Sequence, residues 1–437
     1  MNAYALAYQD LLEGLPGRDL PWLEAKRRAA LSEFAGSGFP SPREEEWRYT
    51  NVAPIEKKLF KPAIAAANEG TEIGDAVQAL HLNDAWVFAL VDGRFSPAFS
   101  TLEGLPESVT VISLVQALNS QSPQVEKHFG QALAAESHGF IAYNTAYFTD
   151  GVCINVPKGV VLDRPIQIAH FVSSPDVAAI TRNLIVLGES AQSQVVETLA
   201  GHAGNGYLSA AVTEVVLGDN AGFDSYRLQC ESEKAYHFSG LYVLQGRDSR
   251  CRQHNLAFGG LLARAEIHSE LSHGSECTLN GLFLARGRQH LDNHTLIQHK
   301  QPHATSSETY RGVLADRARG VFQGRIVVHP QAQKSQADMS NRNLLLSEDA
   351  EIDTKPQLEI LADDVKCSHG VTVGQLNPES VFYLASRGVD EASARNMLTF
   401  AFANEMVERI DLEPLKQLAQ QQLLVAFPQS GIRRDWL

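Results

Sequence analysis

From about Ile141 onward, short apolar runs alternate with turn residues. Runs rich in Val, Ile, Leu, Thr and Tyr are set apart by Gly, Asp and Asn; they include Val152 to Val156, Ile166 to Val172, Leu184 to Leu187, Val212 to Leu217 and Arg325 to Val328. Such runs predict strands. No helical pattern of roughly 10–15 residues lies between them, which argues against β–α–β units. The strand exits carry a weak repeat. Leu187-Gly-Glu-Ser-Ala191 recurs as Leu217-Gly-Asp-Asn-Ala221, with looser echoes beginning at Leu244, Leu284, Leu314 and Leu346. The steps are 30, 27, 40, 30 and 32 residues. In such a unit Leu closes a strand, Gly or an acid turns the chain, and a small residue fits inside the corner. One rung cannot bury its own apolar face, so units of this kind stack. The repeat predicts a β-solenoid, with an antiparallel sandwich as the rival.

The two ends read as helical. Ala3 to Glu13 and Leu20 to Phe34 mix helix formers with apolar residues at three-to-four spacing, separated by Pro16-Gly17. Residues 62–83 are Ala-rich and unpatterned, and Ala85 to Val91 predicts a strand closed by a turn at Asp92-Gly93. Further helices are expected at Val111 to Leu118 and around Val125 to Ala135. Near the C-terminus, Asn377-Pro378 is an N-cap with Pro at the first helical position. Gly388 is a stop, Asp390 caps a helix to about Ile410, and a last helix runs from Leu412 to about Phe427. The expected organisation is a mostly helical region over 1–140, a β core over 141–376 and a helical region over 377–437. The terminal helices are expected to cap the solenoid or to dock a partner.

Charge sharpens this picture. The 437 residues carry 37 Lys+Arg and 51 Asp+Glu, so 37 − 51 = −14. That balance argues against nonspecific binding to nucleic acid or an anionic membrane. Residues 241–330 run the other way, with 11 basic and 7 acidic residues and 8 of the 15 histidines. Five scattered cysteines without CxxC spacing point to a reducing compartment, and the reading is cytoplasmic. The N-terminus lacks the basic and apolar regions of a signal peptide, and no apolar run has the length of a membrane span.

The absent motifs narrow the chemistry. The chain has no Gly-Lys dipeptide, hence no Walker A loop, and no GxSxG, HExxH or strand-linked GxGxxG. His290, His294, His299 and His303 fall within 14 residues. They make either a self-contained metal site or, as the blander reading, a solvated polar face. The segment Asp363-Asp-Val-Lys-Cys-Ser-His-Gly370 is sharper. In an extended chain Val365, Cys367, His369, Val371 and Val373 project to one side, placing a thiol beside an imidazole. The plain alternative is a buried Cys and a satisfied core His. Asp363 and Asp364 raise a polysaccharide-active enzyme as another reading, although strand neighbours face opposite ways.

The run Asp353-Thr-Lys-Pro-Gln-Leu-Glu-Ile-Leu-Ala-Asp-Asp-Val-Lys-Cys-Ser-His-Gly370 resembles the SufB/SufD family of iron–sulfur assembly proteins. So do Ser340-Asn-Arg-Asn-Leu-Leu-Leu346, Phe382-Tyr-Leu-Ala-Ser-Arg-Gly388 and Pro42-Arg-Glu-Glu-Glu-Trp-Arg-Tyr-Thr50. The likeness spans nearly the whole chain and leans to the SufD branch. No cysteine precedes Cys153, and Ser335 to Leu346 lacks the cysteine that SufB carries on the strand before the family histidine. The resemblance implies a mainly β fold, a right-handed parallel β-helix with helical ends. It implies a non-catalytic scaffold that pairs with a SufB-like paralogue and binds a SufC-like ABC-type ATPase. His369 matches the family's functional histidine at that interface, where nascent iron–sulfur clusters form transiently and any metal is shared with the partner. Cys367 matches a cysteine common in SufD sequences. The helix carrying Met397, Leu398, Phe402 and Met406, with Pro378 to Ser386 before it, matches the ATPase-docking region. A homodimer of the isolated chain is also open. Some family complexes are associated with reduced flavin, but this chain carries no flavin motif.

Overall fold

The computed structural model describes residues 3–427 apart from 9–10, 12–13, 64–69 and 134–137. Strands from Val152–Val156 to Lys366–Gly374 alternate between two sheets of ten strands each. All the neighbouring strands of this core pair in parallel. This is a parallel β-solenoid, and the sandwich alternative falls because no hairpin links successive core strands. Val152–Val156 and Ile166–Val172 coincide with the predicted runs.

One coil takes 26 to 32 residues, as the pairs Arg250↔Glu276, Leu208↔Tyr236 and Arg319↔Glu351 show. The irregular 40-residue step in the sequence repeat has a simple cause. Leu187, Leu217 and Leu244 lie at the corner leading from the first sheet to the second, whereas Leu284, Leu314 and Leu346 lie at the opposite corner. The echo slips by about half a coil between Leu244 and Leu284.

The first corner is built the same way in six successive coils. Ser190, Asn220, Asp248, Gly274, His303 and Lys334 occupy one ladder position, all with φ between 54° and 67°. Gly218 is required there, because a Cβ would lie 2.7 Å from the backbone nitrogen of Glu189 in the coil before. The small residue that follows fills the inside of the turn: Ala191, Ala221 and Ala304 are buried in the central core. That core is lined by Val195, Leu279, Ile267, Ile297 and their neighbours. Each such side chain contributes roughly 1.5–3 kcal/mol on burial.

Both sheets are also covered outside. Helices of the N-terminal region, chiefly Pro21–Ser37 and Gly139–Tyr147, pack on the first sheet through Phe34, Tyr143 and Tyr147 against Ile180, Ala210 and Phe238. The C-terminal helices Glu391–Val407 and Glu413–Ala426 lie along the second sheet, with Phe400, Met406, Leu415 and Leu423 on Tyr226, Leu256 and Leu282. They flank the solenoid and do not cap its end. Asn377 and Asp390 cap their helices as expected, accepting from the backbone of Glu379 and Ser393.

Three helical expectations are corrected. Thr110–Ser113 is a strand and only Leu114–Asn119 is helical, because Ser113 caps the helix one turn late. The helix near Val125 is short, Pro123–His128. The first helix is Ala3–Ala7. The rest of these expected spans falls partly on residues 9–10, 12–13 and 134–135, and the Ala-rich stretch partly on 64–69, outside the described residues.

The two ends of the solenoid differ. At the first rung Trp86–Val91 joins the second sheet, while Arg94–Phe95 and Thr110–Ser113 finish the edges with antiparallel pairing. At the other end Glu351–Ile360 and Lys366–Gly374 are the terminal strands of their sheets.

Candidate functional site

The terminal rung gathers the sequence-predicted residues at an open mouth. Alternation along Lys366–Gly374 turns Cys367, His369, Val371 and Val373 toward the solenoid interior. The ladder confirms it: Cys367 stacks on Ala337 and His369 on Met339, both core residues. Cys367 is half-buried against that core, with its thiol pushed up by burial. His369 is exposed, because among the described residues no further coil covers it. It is therefore not a satisfied core histidine. Facing these residues, Ile352, Thr354, Pro356 and Leu358 point inward from Glu351–Ile360. Thr354 donates to Asn341 at 3.0 Å, and Asn341 and Asn343 bond each other below the mouth. A groove of about 580 Å³ opens beside Cys367, lined by Glu276, Thr278, Ser307, Asp338 and Lys366.

The mouth is apolar at its rim. Ile360, Leu361 and Val373 are exposed, as are Phe382 and Tyr383 on helix Pro378–Ser386, which has no buried residue. The two open edges are unequal. Pro356 removes a donor from one, as is tolerated only at a sheet edge or bulge. Lys366–Gly374 contains no proline and keeps its full row of donors and acceptors.

The residues of the expected ATPase-docking region divide. Met406 is buried against the solenoid, so it packs the helix in place. Phe402 is half-buried beneath Arg311, whose guanidinium carbon lies 4.7 Å from the ring centre. Met397 and Leu398 are half-buried. Phe382 and Tyr383, at 74% and 57% exposure, are the more accessible apolar surface. Asp363 and Asp364 are both exposed, and Asp364 pairs with Lys334 at the corner. Adjacent in sequence and with Asp364 held by Lys334, they do not form the facing carboxylate pair that the polysaccharide-enzyme reading needs.

Of the four clustered histidines, His290, His294 and His299 are packed within the protein and form no solvated face, and His303 alone is exposed. His290 and His294 share the outward face of one strand, His290–His299, without an intervening turn. That face receives the N-terminal motif. Arg264, buried, bonds Asp292 at 2.8 Å, Glu266 at 2.7 Å and the Glu46 carbonyl at 2.9 Å, and lies over Trp47. Thr50 donates to Asp292 at 2.5 Å and bonds His290 at 3.0 Å. His138 reaches Glu266 at 2.8 Å. Burial alone would raise the Asp292 carboxyl, but His294 and Arg264 hold it well below the usual range. Burial pushes the His290 imidazole down, which favours its neutral form. Gln323 bonds Glu46, and Lys355 bonds Glu45 at 2.7 Å. The motif thus crosses four successive strands and reaches the terminal rung. Sequence reasoning missed this contact. Charge along the chain does not announce it, since Glu45 pairs with Lys355 outside the basic stretch and the Glu46 carboxylate bonds Gln323.

Among the described residues, no three His, Cys, Asp or Glu side chains converge as a metal site, and no helix is long and apolar enough to cross a membrane. The fold and the mouth together define a flanked parallel β-solenoid with an unfinished last rung bearing a thiol and an imidazole. The chain belongs to the SufBD family of iron–sulfur cluster assembly proteins. Residues 170–402 match the SUF system FeS cluster assembly SufBD core domain, and residues 1–168 match the SufBD protein N-terminal region. An iron–sulfur cluster assembly SufBD family protein of Synechocystis is 31% identical over 90% of this chain and 88% of its own length. The iron–sulfur cluster assembly protein SufD of Escherichia coli is 30% identical over 89% of each chain. That of Bacillus subtilis is 26% identical over 91% of this chain and 92% of its own.

Proposed function

We propose that the chain is a non-catalytic, cytoplasmic scaffold subunit of an iron–sulfur assembly complex, joined to a SufB-like paralogue at its terminal rung. The observation that carries this is the open mouth: an uncovered strand edge, an apolar rim, and His369 and Cys367 exposed or half-exposed on the inward face. An uncovered strand edge is a template for pairing, and the full ladder row of Lys366–Gly374 can accept a strand. Docking there would bring partner residues over His369, which then supplies one ligand to a shared, transient cluster. A complete site inside one chain would need about four ligands. The cluster is cargo, passed on from the interface. A SufC-like ATPase docks on the C-terminal helices through Phe382, Tyr383 and the exposed side of Met397 and Leu398. It supplies the nucleotide chemistry for which this chain has no P-loop. Co-purification of the full chain with both partners tests this reading. Recovery of neither overturns it.

A further inference from the structure

At the corner leading into the second sheet, two histidines from adjacent coils stand together outside the mouth. His273 and His303 have ring centres 5.3 Å apart, with planes inclined at 58°. His303 is exposed and His273 half-buried. The Nδ1 atom of His273 is buried with no hydrogen-bond partner. Two imidazoles sharing one tetrahedral ion, with metal–nitrogen distances of about 2.1 Å, place their ring centres about 5 Å apart. The observed spacing meets the distance that two chelating imidazoles require. The backbone holds it. His303 occupies the left-handed corner position at φ 64°, and its amide donates to Gln333 in the next coil at 3.0 Å. Between the two coils, the Gly274 amide donates to Pro302 at 3.1 Å.

We infer that His273 and His303 form a surface binding site for one divalent transition-metal ion of the class imidazole prefers: zinc, cobalt, nickel, copper or ferrous iron. Only two protein ligands are in place, so water completes the coordination and the ion exchanges readily. Asp248 stands at the same ladder position one coil earlier, its carboxylate lying against Gly274. It pairs with Arg247 at 3.0 Å and is not needed for the pair to bind. His290 and His294 are engaged in the network under the N-terminal motif and do not compete. The site lies two rungs before the terminal rung, separate from His369, and does not depend on the proposed function.

The experiment titrates the full chain with cobalt(II), read by visible absorbance, and with zinc(II), read by calorimetry. His303→Gly is the main variant, because glycine is at ease at a left-handed corner and the fold is retained. His273→Gln is the second, and His369→Ala the control. The expected result is one equivalent bound in the low micromolar range by the wild type and by His369→Ala. That equivalent weakens at least tenfold in each of the other two variants. Unchanged binding by His303→Gly and His273→Gln, or no micromolar binding by the wild type, overturns the inference.

Discussion

The guanidinium of Arg264 lies over the indole of Trp47, its central carbon 3.6 Å from the ring centre. Both side chains are about 2% exposed. The contact joins a motif near the N-terminus to a strand more than two hundred residues later. Asp292 and Glu266 of the sheet and the Glu46 carbonyl of the motif surround one buried cation. Removing that cation strands Asp292 and Glu266 without a buried arginine.

Arg264→Met is accordingly expected to lose about 3–5 kcal/mol of stability, as when one partner of a buried pair is removed. Trp47→Leu loses less. A double-mutant cycle isolates their coupling, expected at about 1–2 kcal/mol for a desolvated cation–π pair. Denaturant unfolding of the four proteins measures it. Coupling near zero means that the two residues are merely adjacent.

Glu308 is the odd buried carboxylate of the solenoid. Glu197 faces Arg227 and Glu214 faces Arg182, but Glu308 has only the Thr295 hydroxyl, at 2.6 Å. Burial pushes its carboxyl up to about 7. The folded chain then binds a proton there that the unfolded chain has already lost between about pH 4.5 and 7. Stability from this group is present below that window and falls as pH rises through it. Glu308→Gln should therefore stabilise the protein by about 3 kcal/mol at pH 8 and leave it nearly unchanged at pH 4. Equal effects at both pH values contradict this.

Met406 and Phe382 separate packing from docking. Met406→Ala opens a cavity under the C-terminal helices and is expected to cost about 2–5 kcal/mol. Phe382→Ala touches an exposed side chain and should stay within about 0.5 kcal/mol of wild type. In pull-downs, Phe382→Ala is nonetheless the variant expected to lose the ATPase. Retained capture moves the docking surface elsewhere.

The open edge is tested by Val373→Lys. A charge placed at an apolar edge blocks strand pairing. The variant is expected to fold as the wild type does and to lose the SufB-like paralogue in co-purification. Wild-type capture by Val373→Lys contradicts docking at this rung.

Much of the fold was legible along the chain because buried strands bounded by turn residues leave a plain mark. Val152–Val156 and the caps at Asn377 and Asp390 needed no tertiary knowledge. The family likeness then named the class, and the motif at Asp363–Gly370 marked the mouth. Other features were hidden for physical reasons. Period two shows that Cys367 and His369 share a face, but not whether a further coil covers it. Helical spacing groups Met397, Leu398, Phe402 and Met406 without saying which of them faces the protein's own sheet. Leu228, Leu256 and Leu282 give the clue, as apolar residues on the outward side of their strands, but it takes the register to read it. His290 and His294 misled because a polar pair reads as solvated until its covering segment, far away in sequence, is known.

The most direct test of the scaffold account is anaerobic affinity purification of the full chain co-expressed with a SufB-like paralogue and a SufC-like ATPase. Subunits, iron and sulfide are counted for the wild type and for His369→Ala. The account predicts a three-component complex in both cases, with iron and sulfide in the wild type and little of either in the variant. A chain recovered without its partners, or a His369→Ala complex carrying a full complement of iron and sulfide, contradicts it.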